Sequence, residues 1–424
     1  MKSVFKENGW YNLLRFHADL CTYFSYRRVE VHGRKNIPAG AKVILTPNHC
    51  NALMDAMTLL RTKKGPLAFG ARADIFKKKA AAEALFFLRI LPLVRVRDGL
   101  RQVVQNYEAM DMIAETVEHA VPFCIFCEGT HRTKHSLLPI KKGCIRAALH
   151  ARDRRPDDTR DIYLQPVGLE YGDHFRFRST SLIEFGTPIN MSAFLREHPD
   201  LPQAEMYRQI EDLMHERIAE RVTFIPDDEQ YEGTWALTRI MTAGPRKGTL
   251  LERRDRNQAA IARIQAEPAL QALRTKAIAF DLMRLHERIS FHSFGFRHPV
   301  LRTVAKSLLW LVWLPFALVE SLLALPLWLG AEILCHKIKD KAFCNSTRYL
   351  CKLFGTPILM VLYALIGFLT LPWYVAAGVL LALIPAYSCF YDFWEYSRIL
   401  LSDLRLLFLP QSSSAFRAIK DATR

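Results

Sequence analysis

The stretch TPNHCNALMD, Thr46 to Asp55, sets a histidine and an aspartate six positions apart, directly after KVIL, Lys42 to Leu45, which reads as a buried strand. A histidine titrating near neutrality takes a proton from a hydroxyl, and a carboxylate on its other ring nitrogen fixes the tautomer and stabilises the imidazolium. That division of labour suits acyl transfer. Six positions do not share a helix face, so His49 belongs in the turn and Asp55 in the first turns of the helix that follows. Helix capping or core hydrogen bonding would use the same two residue types, and the pair alone does not choose between these readings.

A second constellation is FCEGTHRTKHSLLPIKKG, Phe126 to Gly143. A strand ends in Glu128, Gly129 and Thr130, a turn able to present backbone N–H groups, and then meets His131, Arg132, Lys134, Lys141 and Lys142. Such a turn can hold an anionic headgroup. Between the two blocks stand GARADIF, with Arg72, and LPLVRVRDG, with Arg95 and Arg97 at the end of a strand. A single arginine is more often a solvated surface charge. Basic residues at successive strand ends of one α/β sheet converge more readily, since such folds place their sites there.

The elements that must position these residues follow from the patterning. From Val29 to Ile189 short apolar strands alternate with longer helical patterns, the signature of a layered α/β domain. The expected strands are VEV, KVILT, PLAFGA, LPLVRV, PFCIF, IYLQPVGLE and TSLIEFG, with helices over residues 52–61, 75–88, 100–119 and 140–151. Residues 192–298 form a polar, helix-biased region in which GPRKGTLLERRDRN reads as a loop and helix entry. Its Gly and Lys lack the spacing of a phosphate-binding P-loop. A helical insert that shapes or covers a site accounts for the region better.

At 424 residues the chain has room for two or three units, at about 150 residues per domain. Lys and Arg number 58 against 42 Asp and Glu, a net charge of +16, while 50% of the residues are hydrophobic. Basicity joined to hydrophobicity favours an anionic membrane surface or a phosphorylated substrate. No nucleic-acid-binding module is recognisable, so nucleic acid is not an expected partner. The nine cysteines are odd in number, scattered, and partly within apolar runs, which reads as reduced thiols. CIFC, Cys124 to Cys127, has no second pair to complete a zinc site and reads as buried strand, so no metal is expected. The opening MKSVFKENGW lacks the apolar core of a signal peptide, and export is not expected. Trp10, Leu13, Leu14, His17, Leu20, Cys21 and Phe24 then recur at helical spacing, which suits a helix lying in a membrane interface or one packed on the protein's own core.

The C-terminal third changes character. Ser307 to Gly330 is apolar apart from Glu320, and Leu353 to Tyr391 contains no Asp, Glu, Lys or Arg. A bilayer core needs roughly 20 helical residues, so these runs read as membrane segments. The second is long enough for two crossings that turn near Leu371, Pro372 and Trp373. The first, interrupted by Pro315 and Pro326, crosses once or dips in and returns. A dip followed by a hairpin keeps the basic residues Lys337, Lys339, Lys341, Arg348 and Lys352 on the cytoplasmic side with those of the tail, Arg398 to Arg424, and is preferred on the positive-inside tendency.

Taken together and in this order, the blocks resemble those of the glycerol-phosphate and lysophosphatidate acyltransferase family. NHCNALMD resembles the His-x4-Asp block in a long-spaced His-x5-Asp form, and LPLVRVRDG the arginine-bearing second block. FCEGTHR resembles the Phe-Pro-Glu-Gly-Thr-Arg block, with Cys127 at the proline and His131 at the arginine, and LQPVGLEYG the proline-containing fourth block. The resemblance covers roughly residues 29–189. It implies a layered α/β acyltransferase domain with a central mixed sheet. His49 would be the base that deprotonates the acceptor hydroxyl and Asp55 the residue that orients it. Glu128, Gly129, Thr130, His131 and Arg132 would form the acceptor site, with Arg95, Arg97 and Arg72 holding phosphate. The hydroxyl would attack an acyl thioester directly, with no acyl-enzyme, so acyl-CoA or acyl carrier protein is implied as co-substrate and no other cofactor. The acceptor so implied is lysophosphatidate or glycerol 3-phosphate in phospholipid synthesis. The alternatives are another lyso-lipid, such as an amino-acid lipid, or a catalytically inactive lipid-binding protein.

The expected organisation is therefore an N-terminal interfacial amphipathic helix (1–28), the α/β acyltransferase domain (29–190), a helical region (191–300), membrane segments (301–391) and a basic cytoplasmic tail (392–424). The partners are the bilayer, a glycerolipid or lyso-lipid acceptor and the thioester donor, with the catalytic domain on the cytoplasmic face.

Overall fold

KVILTP, with four β-branched or aliphatic residues in a row, is the kind of run that a strand covered on both faces requires. It forms β2 (Lys42–Pro47), buried along its whole length. The computed structural model describes residues 8–62, 65–93, 102–155, 157–245 and 248–423. The other strands are β1 (Tyr26–His32), β3 (Ala68–Arg72), β4 (Ile90–Leu93), β5 (Phe123–Cys124), β6 (Ile162–Tyr171), β7 (Ser179–Phe185) and β8 (Ile189–Asn190). They build one mixed sheet in the order β1-β7-β6-β2-β5-β3-β4, with β8 paired to β6.

β6, β2, β5, β3 and β4 are mutually parallel neighbours, whereas β7 and β8 run antiparallel to β6. The carboxyl ends of five adjacent strands therefore point the same way. The blocks that hold His49, Arg72, Glu128 and Tyr171 leave the sheet at that edge, the arrangement in which α/β sheets carry their sites. Each predicted strand is present to within a few residues. β8 was not anticipated: two residues in the middle of GTPINMSAF have no periodicity to reveal it, and it pairs with Tyr163 and Leu164 at the start of β6, ahead of residues 167–171, which β7 takes.

The helices of this first unit are α1 (Gly9–Ser25), α2 (Leu53–Arg61), α3 (Lys79–Phe87), α4 (Gln102–Glu118), α5 (Gly143–Asp153), α6 (Met191–Glu197) and α7 (Gln203–Ala219). The unit runs past residue 190 to Val222. α7 packs on β6 and buries Ile210, Met214 and Ile218, and Gly168 permits the close approach, since a Cβ there would lie 2.4 Å from Arg221 Cβ. α1 is docked by its own arginine, whose guanidinium donates to the carbonyls of Gly65 (2.7 Å) and Leu60 (2.9 Å) at the end of α2. Tyr11, Cys21 and Thr22 are buried on that face, while Trp10, Leu13 and Phe16 stay exposed on the other.

The second unit comprises Phe24–Arg27, Phe175–Ser179 and Thr223–Arg424. Its helices are α8 (Tyr231–Met241), α9 (Leu250–Ala266), α10 (Pro268–Gln271), α11 (Arg274–His286), α12 (Pro299–Lys337), α13 (Phe343–Thr370), α14 (Trp373–Phe408) and α15 (Pro410–Ala422). α9 begins at the expected helix entry, where Thr249 and Glu252 cap each other's backbone amides. The tail is helical: α14 continues through the basic segment to Phe408, and α15 buries Phe416 and Ile419 against Leu237, Ile240 and Phe280.

α12, α13 and α14 are each long and apolar enough to cross a membrane. The hairpin turn falls where the sequence placed it, with α13 ending at Thr370 and Pro372 capping α14. α12 runs antiparallel to α14 at first: Arg302 and Lys306 reach Asp403 (2.9 and 2.7 Å), Trp310 reaches Ser397 (2.7 Å) and Glu320 lies against Cys389. Further along, Glu332 accepts from Tyr391 (2.8 Å) and pairs with Arg348 (2.8 and 3.0 Å). α12 holds Pro315 and Pro326 within one continuous helix, and each lacks the N–H that would close the helical ladder.

Candidate active site

The turn after β2 is built around one carboxylate. Asp55 is fully buried in the first turn of α2, and His49 Nδ1 lies 2.7 Å from its Oδ2. The same oxygen accepts the backbone N–H groups of Cys50 (2.9 Å) and Asn51 (2.7 Å). An ionised carboxylate is acceptor only, so Nδ1 carries the proton and Nε2 is the nitrogen left to act as a base. The side chain of His49 is 18% exposed, enough for access and too little for free rotation. Its ring stacks on Phe126, centroids 4.2 Å apart, with His131 edge-on at 5.6 Å.

Five residues stand between the two partners, and the chain fits them in by straining one. Ala52, just before α2, has φ 47° and ψ −127°, a conformation that a side chain disfavours. The turn is tied to β6 by Asn48, whose side chain donates to Leu169 O (3.1 Å) and accepts from Leu169 N (2.7 Å). Asn48 had no signal in the sequence beyond standing next to His49.

Glu128 faces the turn from the end of β5. It is 3% exposed, and its two oxygens accept from the backbone N–H groups of His49 (3.0 Å) and Leu138 (3.0 Å). Burial pushes its carboxyl up to about 7. Here Glu128 clamps the histidine turn to the loop after β5. Gly129 has φ 69°, the left-handed conformation that favours glycine, and its N–H returns to Phe126 O (3.1 Å). Arg132 N–H donates to His49 O (3.0 Å), while its guanidinium reaches Ser136 Oγ (2.7 Å). Thr130 is exposed beside them, and His131 partly so.

The remaining candidates divide. Arg72 is exposed at the end of β3 and forks onto Asp74 (3.0 and 2.6 Å), two residues away. Arg95 and Arg97 lie outside the described residues. Cys124 and Cys127 are buried, with Cys127 Sγ donating to Pro47 O (3.3 Å). Cys50, next to His49, is also buried, and desolvation, with the charges of Asp55, Glu170 and Glu128, holds its thiol well above the ordinary range. It is no nucleophile.

Three of the motif blocks thus meet at one buried turn, and residues 28–170 match the family model described as Acyltransferase. Over those residues the chain is similar to the acyltransferase family. Over 79 residues, 19% of the chain, it is 34% identical to glycerol-3-phosphate O-acyltransferase 1 of Saccharomyces cerevisiae. Over 132 residues, 30% of the chain, it is 26% identical to an uncharacterised acyltransferase of Schizosaccharomyces pombe. These matches span only 10% and 19% of the two relatives. A crystal structure of the 1-acyl-sn-glycerophosphate acyltransferase of Thermotoga maritima aligns over 50% of this chain and 78% of its own, with 18% identity and a TM-score of 0.36.

Proposed function

We propose that the protein is a membrane-bound O-acyltransferase that moves a fatty acyl group from a thioester to a hydroxyl of a glycerolipid precursor, lysophosphatidate or glycerol 3-phosphate. The observation that carries this reading is the 2.7 Å contact between His49 Nδ1 and the buried Asp55, in a domain similar to the acyltransferase family. His49 Nε2 takes the hydroxyl proton as the oxygen attacks the thioester carbon. The tetrahedral oxyanion collapses, the C–S bond breaks, and the departing thiolate receives the proton from His49. The Asp55 charge stabilises the imidazolium between these two transfers. No step requires a covalent acyl-enzyme, which agrees with a Cys50 thiol held neutral.

Anchoring by α12, α13 and α14 places the enzyme in the phase where acyl chains and lyso-lipids reside. In this reading α12 dips into the bilayer and returns, α13 and α14 form a hairpin, and the basic segments and the catalytic domain share the cytoplasmic face.

Acyl transfer from labelled acyl-CoA tests the proposal, using membranes that hold the intact protein or His49→Ala and an acceptor panel of lysophosphatidate, glycerol 3-phosphate and other lyso-lipids. Transfer to one acceptor, reduced about 10²-fold or more in the variant, is the expected result. Silence with every acceptor, repeated with acyl carrier protein thioesters, defeats it.

A further inference from the structure

Asp55 has two oxygens, and backbone amides serve only Oδ2. Oδ1 is reached from the opposite side of the sheet edge by the hydroxyl of Tyr171, the last residue of β6, at 2.7 Å. The nearest further donor to that oxygen is the Cys50 thiol, at 3.9 Å, a weak contact. Tyr171 is 2% exposed, so water does not substitute for it.

The hydroxyl is itself held in place. Thr58 Oγ1, one turn along α2 from Asp55, lies 3.2 Å from it while also contacting the carbonyls of Met54 and Asp55. On the other side the ring rests against His174, centroids 5.6 Å apart, and His174 meets His135 at 5.2 Å. His135 Nδ1 in turn lies 3.4 Å from Glu170. The titratable groups around Tyr171 include Asp55 from α2, Cys50 from the turn before it, and Glu170, Asp173, His174 and His135 from the strand end and the loops. Burial holds His174 toward its neutral form.

We infer that Tyr171 is a positioning residue for the proposed reaction: its hydroxyl fixes the plane of the Asp55 carboxylate so that Oδ2 faces His49, and it tempers how strongly that carboxylate draws the histidine proton. The inference rests on the reading of His49 and Asp55 as a catalytic pair. A buried carboxylate oxygen left without a strong donor becomes more basic, and the imidazolium paired with it becomes harder to deprotonate. The carboxylate also gains freedom to rotate.

Tyr171→Phe keeps the ring and removes only the oxygen. The expected result is a kcat lower by about 10- to 100-fold, the span given by loss of one hydrogen bond to a charged group, with KM for both substrates nearly unchanged. The acid limb of the kcat/KM profile moves to higher pH. A purely structural role would lower the melting temperature and leave that limb in place. If the Phe variant does not fold, 3-fluorotyrosine at position 171 supplies a stronger donor of nearly the same shape and moves the limb to lower pH. A folded variant of either kind with wild-type kcat and an unmoved limb overturns the inference. His49→Ala is run alongside: retained activity there defeats the catalytic pair itself, whereas lost activity with an unaffected Tyr171→Phe defeats only the role of Tyr171.

Discussion

Replacing Asp55 by Asn separates the charge of this residue from its geometry. The Asn oxygen, placed where Oδ2 lies, accepts from His49 Nδ1 and from the amides of Cys50 and Asn51, as the carboxylate does at 2.7 to 2.9 Å. The Asn NH2 then points at the Tyr171 hydroxyl, which turns to accept. The turn and the histidine tautomer are therefore kept, and what disappears is the negative charge beside the imidazolium. Unit charges about 4 Å apart attract by about 4 kcal/mol at an effective dielectric of ~20. Partial exposure of His49 lowers this toward about 2 kcal/mol, so kcat should fall by roughly 30- to 10³-fold. KM should barely change, since the charge acts only once the proton has moved. The assay is acyl transfer from labelled acyl-CoA under saturating acceptor, with thermal melting to check the fold. A folded Asp55→Asn protein whose kcat stays within about threefold of wild type would refute the base-and-carboxylate mechanism.

Other outcomes follow from the same turn and from the membrane helices. Ala52→Gly relieves the positive φ and should raise stability by up to about 1 kcal/mol, with no loss of acyl transfer; a lower melting temperature would show that Ala52 is not strained. Glu128 binds its proton more tightly folded (about 7) than unfolded (4.5), so its effect on stability is fully present below pH 4.5 and is lost as pH rises to about 7. The span is about 3 kcal/mol, and melting curves should be flatter across that window for Glu128→Gln; an identical pH dependence in the two proteins counts against the shift. If α12 dips and returns, cysteines introduced at Arg297 and Lys339 in a cysteine-depleted background react with a membrane-impermeant maleimide from the same face of sealed vesicles. Labelling from opposite faces means that α12 crosses once.

What the sequence determined by itself is local. The apolar runs of β2 and β6, the placement of His49 in a turn and Asp55 in the helix after it, and the hairpin at Pro372 all follow from period, spacing and proline chemistry within a window of a few turns. So do the three apolar helices, because a run of more than twenty residues with at most one charge has few other places to go. Tertiary structure decided the rest. Tyr171 reaches Asp55 from 116 residues away, and nothing in LQPVGLEYG marks its hydroxyl until parallel pairing of β2 with β6 brings the two strand ends together. Glu128 stood out as a residue for the acceptor site, and the fold adds that its oxygens accept two backbone amides, a use that depends on how two loops meet. The prolines of α12 stand within one continuous helix, and only the fold pairs its Glu320 with Cys389 and its Glu332 with Tyr391 on α14. Chain periodicity records which face of an element is apolar; which partner a buried polar atom finds is settled only when distant segments close around it and leave it no water.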